Sequence, residues 1–176
     1  QLIKVRPTKI ELIRLRRRLT LSQRIQKIVK DRLSILTMEF LQVARETVEA
    51  KENVVANFTA AYKAQSIITG YYGYIALEKE LIASEKEIVI AGGSRSIAGT
   101  VVPSFELEES KEPVIRYNLV DTSSWLDQSA QLFEKCLAAI ISLAELQSTL
   151  DRLGREINRT KRIVNALEHL TIPSLQ

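Results

Sequence analysis

The chain has 176 residues, of which 45% are hydrophobic and 26% charged, and its formal net charge is +4 at pH 7. A chain of this length can form one ordinary domain. No apolar run approaches the ~18–20 residues of a membrane span, and no signal peptide is visible. The single cysteine, Cys136, excludes an internal disulfide and fits a reducing compartment. We therefore expect a soluble, cytoplasmic protein.

The first predicted element is a long helix over residues 8–69. Thr8 and Glu11 have the spacing of a capping box, and neither glycine nor proline occurs from Thr8 to Thr69. An unbroken helix of that length would measure roughly 90 Å. Its apolar residues alternate at three- and four-residue spacing, which is typical of a coiled coil. This stripe runs through Leu12, Leu15, Leu19, Ser22, Gln26, Val29, Leu33, Leu36, Phe40, Val43, Thr47, Ala50, Val54, Asn57, Ala61, Ala64 and Ile68.

Residues 70–120 have a different pattern and predict a small head inserted between two helices. Residues 75–84 predict a short helix, 87–91 a strand, 92–96 a turn and 99–105 a second strand. An acidic loop follows at 106–112, and 113–117 is expected to be extended. An isolated hairpin is marginal in water, so we expect this head to pack on the helices or on a partner.

Residues 121–172 predict the second long helix. Good N-cap residues occupy 121–124, and the helix is expected to end near Thr171, before Pro173. Gly154 in its interior predicts a tight contact or a slight bend. Cys136 lies on the stripe, which favours a buried structural thiol over a reactive one. The stripe runs through Trp125, Ser129, Leu132, Cys136, Ala139, Leu143, Leu146, Leu150, Leu153, Ile157, Thr160, Val164 and Leu167.

The predicted fold is mainly α, a long antiparallel two-helix coiled coil with a small head of a short helix and a β-hairpin between the helices. Antiparallel pairing needs only a local connection, so we place residue 12 near 167 and residue 50 near 129. The basic ends of both helices would then lie together. Ser22 and Gln26 interrupt the apolar stripe, and either they set the register or the helix pair widens there.

Residues that could support catalysis are scarce. His169 is the only histidine, and a histidine near a helix C-terminus is more often a surface residue than a ligand. Residues 93–99 superficially resemble a phosphate-binding loop but lack its Gly-Lys-Ser/Thr ending and following helix, which favours a turn. The sequence therefore predicts no catalytic residue, no cofactor and no metal site, and a protein that is not an enzyme.

Positive charge is concentrated in two clusters. Residues 1–35 contain eleven Lys or Arg against Glu11 and Asp31, and a second cluster covers 152–162. These clusters leave open a coiled-coil scaffold that binds nucleic acid or anionic membrane. No aromatic residues are interleaved with the basic ones, which favours a solvated or protein-facing surface. A generic homo-oligomeric coiled-coil adaptor is a second alternative.

Two terminal motifs resemble those of a known family. Residues 7–19, with Pro7, Thr8 and the Arg16-Arg17-Arg18 run, resemble the N-terminal signature of the D subunit of the V-type and archaeal A-type rotary ATPases. Residues 158–168, followed by Ile172-Pro173, resemble the C-terminal signature, and the Arg-x-Val-Asn-Ala-Leu-Glu core at 162–168 is its most specific part. The resemblance spans nearly the whole chain, although the insert matches only in general character.

The resemblance implies a central rotor shaft that couples ATP hydrolysis or synthesis in a catalytic hexamer to rotation of a membrane ion-transport ring. The implied partners are the A and B subunits of the hexamer, the small F subunit of the stalk and the membrane-side adaptor C/d, with no nucleic acid and no membrane insertion. Family members continue past Pro173 with more helix, so the far tip of the shaft is expected to be missing from this sequence. The coupling ion, the direction of the reaction and the residues contacting F stay open. From charge and position, the residues expected to face the stator are Arg14, Arg17, Arg18, Arg155, Arg159 and Arg162.

Overall fold

A computed structural model describes residues 8–75, 77–78, 88–108 and 124–175. The elements are helix α1 (Lys9–Tyr72), strands β1 (Val89–Ile97) and β2 (Thr100–Glu108), helix α2 (Ser124–Ala166), a π-helical turn (Leu167–Thr171) and the short helix α3 (Ile172–Leu175). Two long helices and an intervening β-hairpin confirm the predicted fold class. Most of the predicted short helix at 75–84, and the extended segment at 113–117, lie outside the described residues. The division into segments 8–69, 70–120 and 121–172 remains a prediction.

Helix α1 begins as predicted and ends slightly later. The Glu11 backbone N–H donates to Thr8 Oγ1 at 3.4 Å, which is the threonine half of a capping box, whereas the Glu11 carboxylate binds Arg14 at 2.7 Å. The helix continues through Gly70 to Tyr72, and Gly73 follows with a φ of +76°. Gly73 donates its N–H to the Thr69 carbonyl at 3.0 Å. A left-handed glycine is a common helix stop, so Gly73 and not Gly70 ends α1.

The predicted end of the second helix, before Pro173, is wrong. Helical structure continues through the π turn into Ile172–Leu175, which contains Pro173. Proline removes one backbone donor, and its ring crowds the carbonyl four residues earlier. The wider π turn directly before it carries a hydrogen bond from the Ile172 N–H to the Leu167 carbonyl. The local widening lets the helix continue past a residue that normally ends one.

The β-hairpin has longer strands and a later turn than the sequence predicted. Gly92–Ser96, predicted as the turn, belong to β1, and the chain reverses at Ala98 and Gly99. Both turn residues have positive φ, 48° and 75°, as a two-residue type I′ turn requires. The twist of this turn matches that of the flanking strands. The chain therefore turns at Ala98 and Gly99 and not at the Gly-rich run before them.

The chain divides into two compact units. The first contains described residues within Gln1–Val43, Ser96–Val102 and Leu150–Gln176, and the second those within Ala44–Arg95 and Pro103–Thr149. In the first unit, Lys30 binds Glu168. Phe40 comes after Lys30 on α1, yet it lies next to Gly154, which comes before Glu168. In the second unit Ser129 Oγ donates to Gln65 Oε1 at 3.2 Å. The antiparallel direction is therefore confirmed.

The predicted register of the helix pair is wrong. Ser129 lies beside Gln65 rather than near residue 50, and Glu168 lies beside Lys30 rather than near residue 12. The reason is that a heptad pattern repeats every two turns, so sliding one helix by whole heptads keeps the same residues on the seam. Apolar spacing cannot distinguish such registers, and the polar pairs must select one.

The residues on the seam were predicted correctly. From Leu15 to Ile68 on α1, and from Ser129 to Leu167 on the second helix and its π turn, every stripe position is buried or half-buried. Among the stripe positions whose burial is described, Leu12 is the exception, with half of its side chain exposed; the burial of Trp125 is not described. Cys136 is buried, as expected of a structural thiol. The most buried stripe residues are Leu36, Val43, Ala61, Ile68, Ser129, Cys136, Leu153, Thr160 and Val164.

Candidate protein-interaction surface

The six arginines predicted to face a partner are all exposed and all belong to the first unit. Helix α1 carries three of them and α2 the other three. The i, i+3 and i, i+4 spacings within each set bring side chains close together on one side of a helix. The residues are Arg14, Arg17 and Arg18 on α1, and Arg155, Arg159 and Arg162 on α2.

The N-terminal cluster consists of Arg14, Arg17 and Arg18. Arg14 is held by an exposed pair with Glu11 at 2.7 Å, an arrangement that adds little stability. Arg17 lines a shallow groove of about 460 Å³ together with Ile13, Arg16, Thr20, Leu21 and Arg24. Apolar and cationic side chains thus alternate on one face of α1. Such a face suits an acidic protein surface with some apolar content.

The C-terminal cluster consists of Arg155, Arg159 and Arg162. Arg155 binds Asp151 at 2.7 Å, one turn earlier on the same helix, and both side chains are mostly exposed. Within the described part of the chain, no ion pair holds Arg159 or Arg162. Because an exposed pair breaks at little cost, all three guanidinium groups are available to a partner.

The structure separates the two clusters, which the predicted register had brought together. Glu156 binds Arg32 at 3.0 Å and Glu168 binds Lys30 at 3.1 Å, so Arg159 and Arg162 lie alongside α1 beyond residue 30. Arg18 is twelve residues before Lys30, which is about 18 Å along a helix at 1.5 Å per residue. The two clusters therefore form separate surfaces. A single binding site on a rigid partner, if it is no larger than one cluster, can contact only one of them.

A polar cluster at the end of the seam was missed by the sequence analysis. Lys30 Nζ binds Glu168 Oε2 at 3.1 Å. The Lys30 hydrogen bond and charge together lower the pKa of Glu168 below its ordinary value of 4.5. Only the correct register reveals that Lys30 and Glu168 are partners, because they lie far apart in the sequence. Gln26 makes the smallest contribution to this lowered pKa, and its register-setting role stays a prediction.

Ion pairs also reduce the positive charge that the basic region of residues 1–35 offers to a partner. Lys30 and Arg32 both bind carboxylates of the first unit's C-terminal segment. A cation already paired inside the chain contributes less to attracting a second acidic surface. Among the described residues, some cations of α1 that make no ion pair lie further toward its N-terminus, at Arg16, Arg17, Arg18 and Arg24.

The described residues include neither a metal-binding cluster nor a membrane-spanning helix. No group of three or more His, Cys, Asp or Glu side chains there is arranged to hold a metal ion. None of the described helices has the combination of length and apolar character that crossing a bilayer needs. His169 is exposed on the π turn.

Comparison with known proteins identifies what the chain resembles. A family model for the D subunit of ATP synthase matches residues 11–176. A protein of Methanopyrus kandleri, named as the D subunit of A-type ATP synthase, is 36% identical over 173 residues, covering 98% of this chain and 75% of the relative. Proteins of the same name from Pyrococcus furiosus and Methanoregula boonei are 36% and 34% identical; they cover 100% and 97% of this chain, and each alignment spans 83% of the relative.

Proposed function

Because the chain belongs to the family of ATP synthase D subunits, we propose that it is the central rotor shaft of an A/V-type rotary ATPase. In this role it couples ATP hydrolysis or synthesis in a hexamer of A and B subunits to rotation of the membrane ion-transport ring. The observation that carries the proposal is the seam, which stays buried or half-buried from Leu15 to Ile68 along one 64-residue helix. A shaft needs a stiff element, and a helix paired along its seam is one.

The chain itself is proposed to be non-catalytic and to act by contact. An asymmetric shaft touches each of several equivalent catalytic sites differently, so each contact biases that site toward a different state. The coupling then depends on the difference in contact energy between sites, and the chain needs no nucleotide site of its own. Its location is the cytoplasmic face of the membrane, as part of the complex.

The two basic clusters are proposed to face the stator. Each carries three exposed arginines, and long-range attraction between exposed charges is screened beyond ~8–10 Å at physiological salt. The clusters therefore act at close range, guiding the shaft without holding it in one orientation. Because the clusters are separate along the helix pair, each should make its own contribution to hexamer binding.

Charge-removal variants test these surfaces one at a time. Arg14→Gln/Arg17→Gln/Arg18→Gln and Arg155→Gln/Arg159→Gln/Arg162→Gln should each weaken binding to the hexamer and flatten its salt dependence. The matched control replaces exposed cations of the second unit, Arg45, Lys51 and Lys63. Binding that is equally weakened by the control set would show that only net charge matters, and unchanged binding in both test sets would remove these arginines from the interface.

An apolar stripe on the second unit is proposed to receive the small F subunit of the stalk. Val48, Val55 and Tyr62 repeat every seven residues on α1, with Phe58 between the last two, and all four are at least half exposed. The rings of Phe58 and Tyr62 stack with centroids 6.3 Å apart. This spacing is that of a second helix-packing seam, and exposed apolar patches mark interaction sites.

Co-purification with the F protein tests that stripe. Phe58→Ser/Tyr62→Ser should abolish recovery of F with this chain while leaving helix content unchanged, because both side chains are exposed. Tyr71→Ser, at a still more exposed aromatic of α1, is the control and should retain F. Retention of F by the double variant would place F elsewhere.

The adaptor C/d is proposed to complete the connection to the membrane ring.

The competing hypothesis is a scaffold for nucleic acid or anionic membrane. It predicts binding to DNA, RNA or anionic vesicles that falls steeply with salt, with no effect on a catalytic hexamer. The rotor proposal predicts the reverse: a changed ATPase rate when the chain is added to the hexamer, and weak, nonspecific attraction to polyanions. One titration series with each binding partner separates the two.

A further inference from the structure

Helix α2 has a second protected face that the helix–helix seam does not explain. Ile141 and Thr149 are buried, at 8% and 0% exposure, yet neither lies on the seam. With Glu145 and Arg152 they occur at spacings of four, four and three residues, which places them on one side of a helix. The Glu145 and Arg152 side chains contact the β-hairpin, so this face of α2 is the face on which the hairpin packs.

Glu145 contacts both strands of the hairpin. Its Oε1 forms an ion pair with Arg95 of β1 at 3.3 Å. Its Oε2 accepts a hydrogen bond from the backbone N–H of Phe105 of β2 at 3.1 Å. The Glu145 side chain is only 19% exposed, and all three residues belong to the second unit. One side chain therefore uses both of its oxygens to hold the two strands.

The turn end of the hairpin also contacts α2. In the first unit Arg152 Nη1 donates to the Val101 carbonyl at 3.2 Å from an exposed position. Val102 is buried, whereas Val89, Ile90 and Val101 are about half exposed. A two-stranded sheet is marginally stable by itself in water. The hairpin thus depends on its contacts with α2, and the charged groups at Glu145 make hydrogen bonds of a stronger kind than neutral groups do.

We propose that Glu145 is a latch that fixes the β-hairpin on α2, and that the hairpin leaves α2 as one piece while the helix pair stays folded. The seam uses other residues of α2, such as Cys136 and Leu153, so releasing the hairpin does not open it. An ion pair that is partly exposed is weakened by salt, so the hairpin is released more often at high ionic strength. The helix pair, held by apolar burial, is far less sensitive.

Amide hydrogen exchange on the full chain tests the latch residue by residue. Glu145→Ala should raise exchange in β1 and β2, with the Phe105 amide as the direct reporter, by at least about 10-fold, as expected when a charge-assisted hydrogen bond is lost. Amides of α1 and α2 should change by less than about 3-fold. Glu145→Gln, which keeps an acceptor for Phe105 but loses the ion pair, and Arg95→Ala should both give a smaller rise confined to the hairpin.

Asp151→Asn is the matched control. Asp151 is another α2 carboxylate, but it pairs with Arg155 of its own helix, so its removal should leave hairpin exchange at the wild-type rate. The latch is overturned if Glu145→Ala leaves hairpin exchange unchanged, or if Asp151→Asn raises it equally. Independent release is overturned if the helix amides accelerate together with the hairpin or if helix content falls in Glu145→Ala or Glu145→Gln.

Discussion

At the residue scale, Gly154 shows how a glycine inside a long helix need not be a site of close packing. A Cβ built on Gly154 would approach Phe40 Cε2 at 3.7 Å, an ordinary van der Waals contact. The helix continues through it, and its φ is not positive. The tight contact expected from the sequence is therefore absent, because the Phe40 ring edge lies at normal distance.

We predict that Gly154→Ala stabilises the protein by about 1 kcal/mol, the usual difference between these residues in a helix interior. Urea unfolding of both proteins measures it, with an unchanged dependence on denaturant. A lower midpoint for the alanine variant would mean that Phe40 cannot accommodate the methyl group and that the helices approach more closely than described.

The lowered pKa of Glu168 predicts that the stability of the protein depends on pH. Its folded-state pKa is lowered, first by the Lys30 hydrogen bond and charge, so its contribution to stability is complete above the unfolded value of 4.5 and is lost as pH falls through the lower folded value. Glu168→Gln should therefore be less stable than the wild type at neutral pH, and the difference should shrink as the pH is lowered below 4.5. Thermal unfolding between neutral pH and pH 3 measures the difference. A constant difference across that range would show that Lys30 does not act through the charge of Glu168.

At the element scale, the sequence was informative wherever a pattern has one structural solution. The three-four spacing identified the seam positions, because burial of a stripe follows directly from helical geometry. It could not determine the register, since whole-heptad shifts preserve the stripe, and the pairs that select it, such as Lys30 with Glu168, join residues far apart in sequence. The hairpin turn was misplaced because Gly92 and Gly93 suggested a turn that Ala98 and Gly99 make.

The candidate site was predictable to the same extent. Exposure of Arg14, Arg17 and Arg18 follows from their positions off the stripe, and the same holds for Arg155, Arg159 and Arg162. Whether the two sets lie together depends on register, so that part of the prediction failed with it. Glu145 carried no signal of its own, because a carboxylate on a helix face is expected to be solvated until the hairpin is placed against it.

The seam itself makes a paired prediction. Leu36 is fully buried, whereas Leu41, little more than one turn later on α1, is 54% exposed. Leu36→Ala should lower the free energy of unfolding by about 2–5 kcal/mol, the range for truncating a buried leucine. Leu41→Ala should change it by no more than about 0.5 kcal/mol. Calorimetry or urea unfolding distinguishes them; comparable losses in both variants would mean that a second apolar surface of α1 is also buried.

At the scale of the whole molecule, the chain combines a helix pair built for stiffness with surfaces suited to several partners. The seam occupies one side of α1, leaving its basic N-terminal face and the apolar stripe at Val48, Val55, Phe58 and Tyr62 exposed. Different partners can therefore bind without competing for the residues that hold the helices together. The proposed rotor role requires this separation.

The proposed rotation can be observed directly on the hexamer of A and B subunits bound to this chain. A cysteine introduced at Tyr71, which is 87% exposed, can carry a bead, because Cys136 is buried and stays unlabelled. The rotor proposal predicts that ATP drives the bead in one direction and that motion stops when ATP is removed. A bead that stays fixed while the same complexes hydrolyse ATP would contradict it.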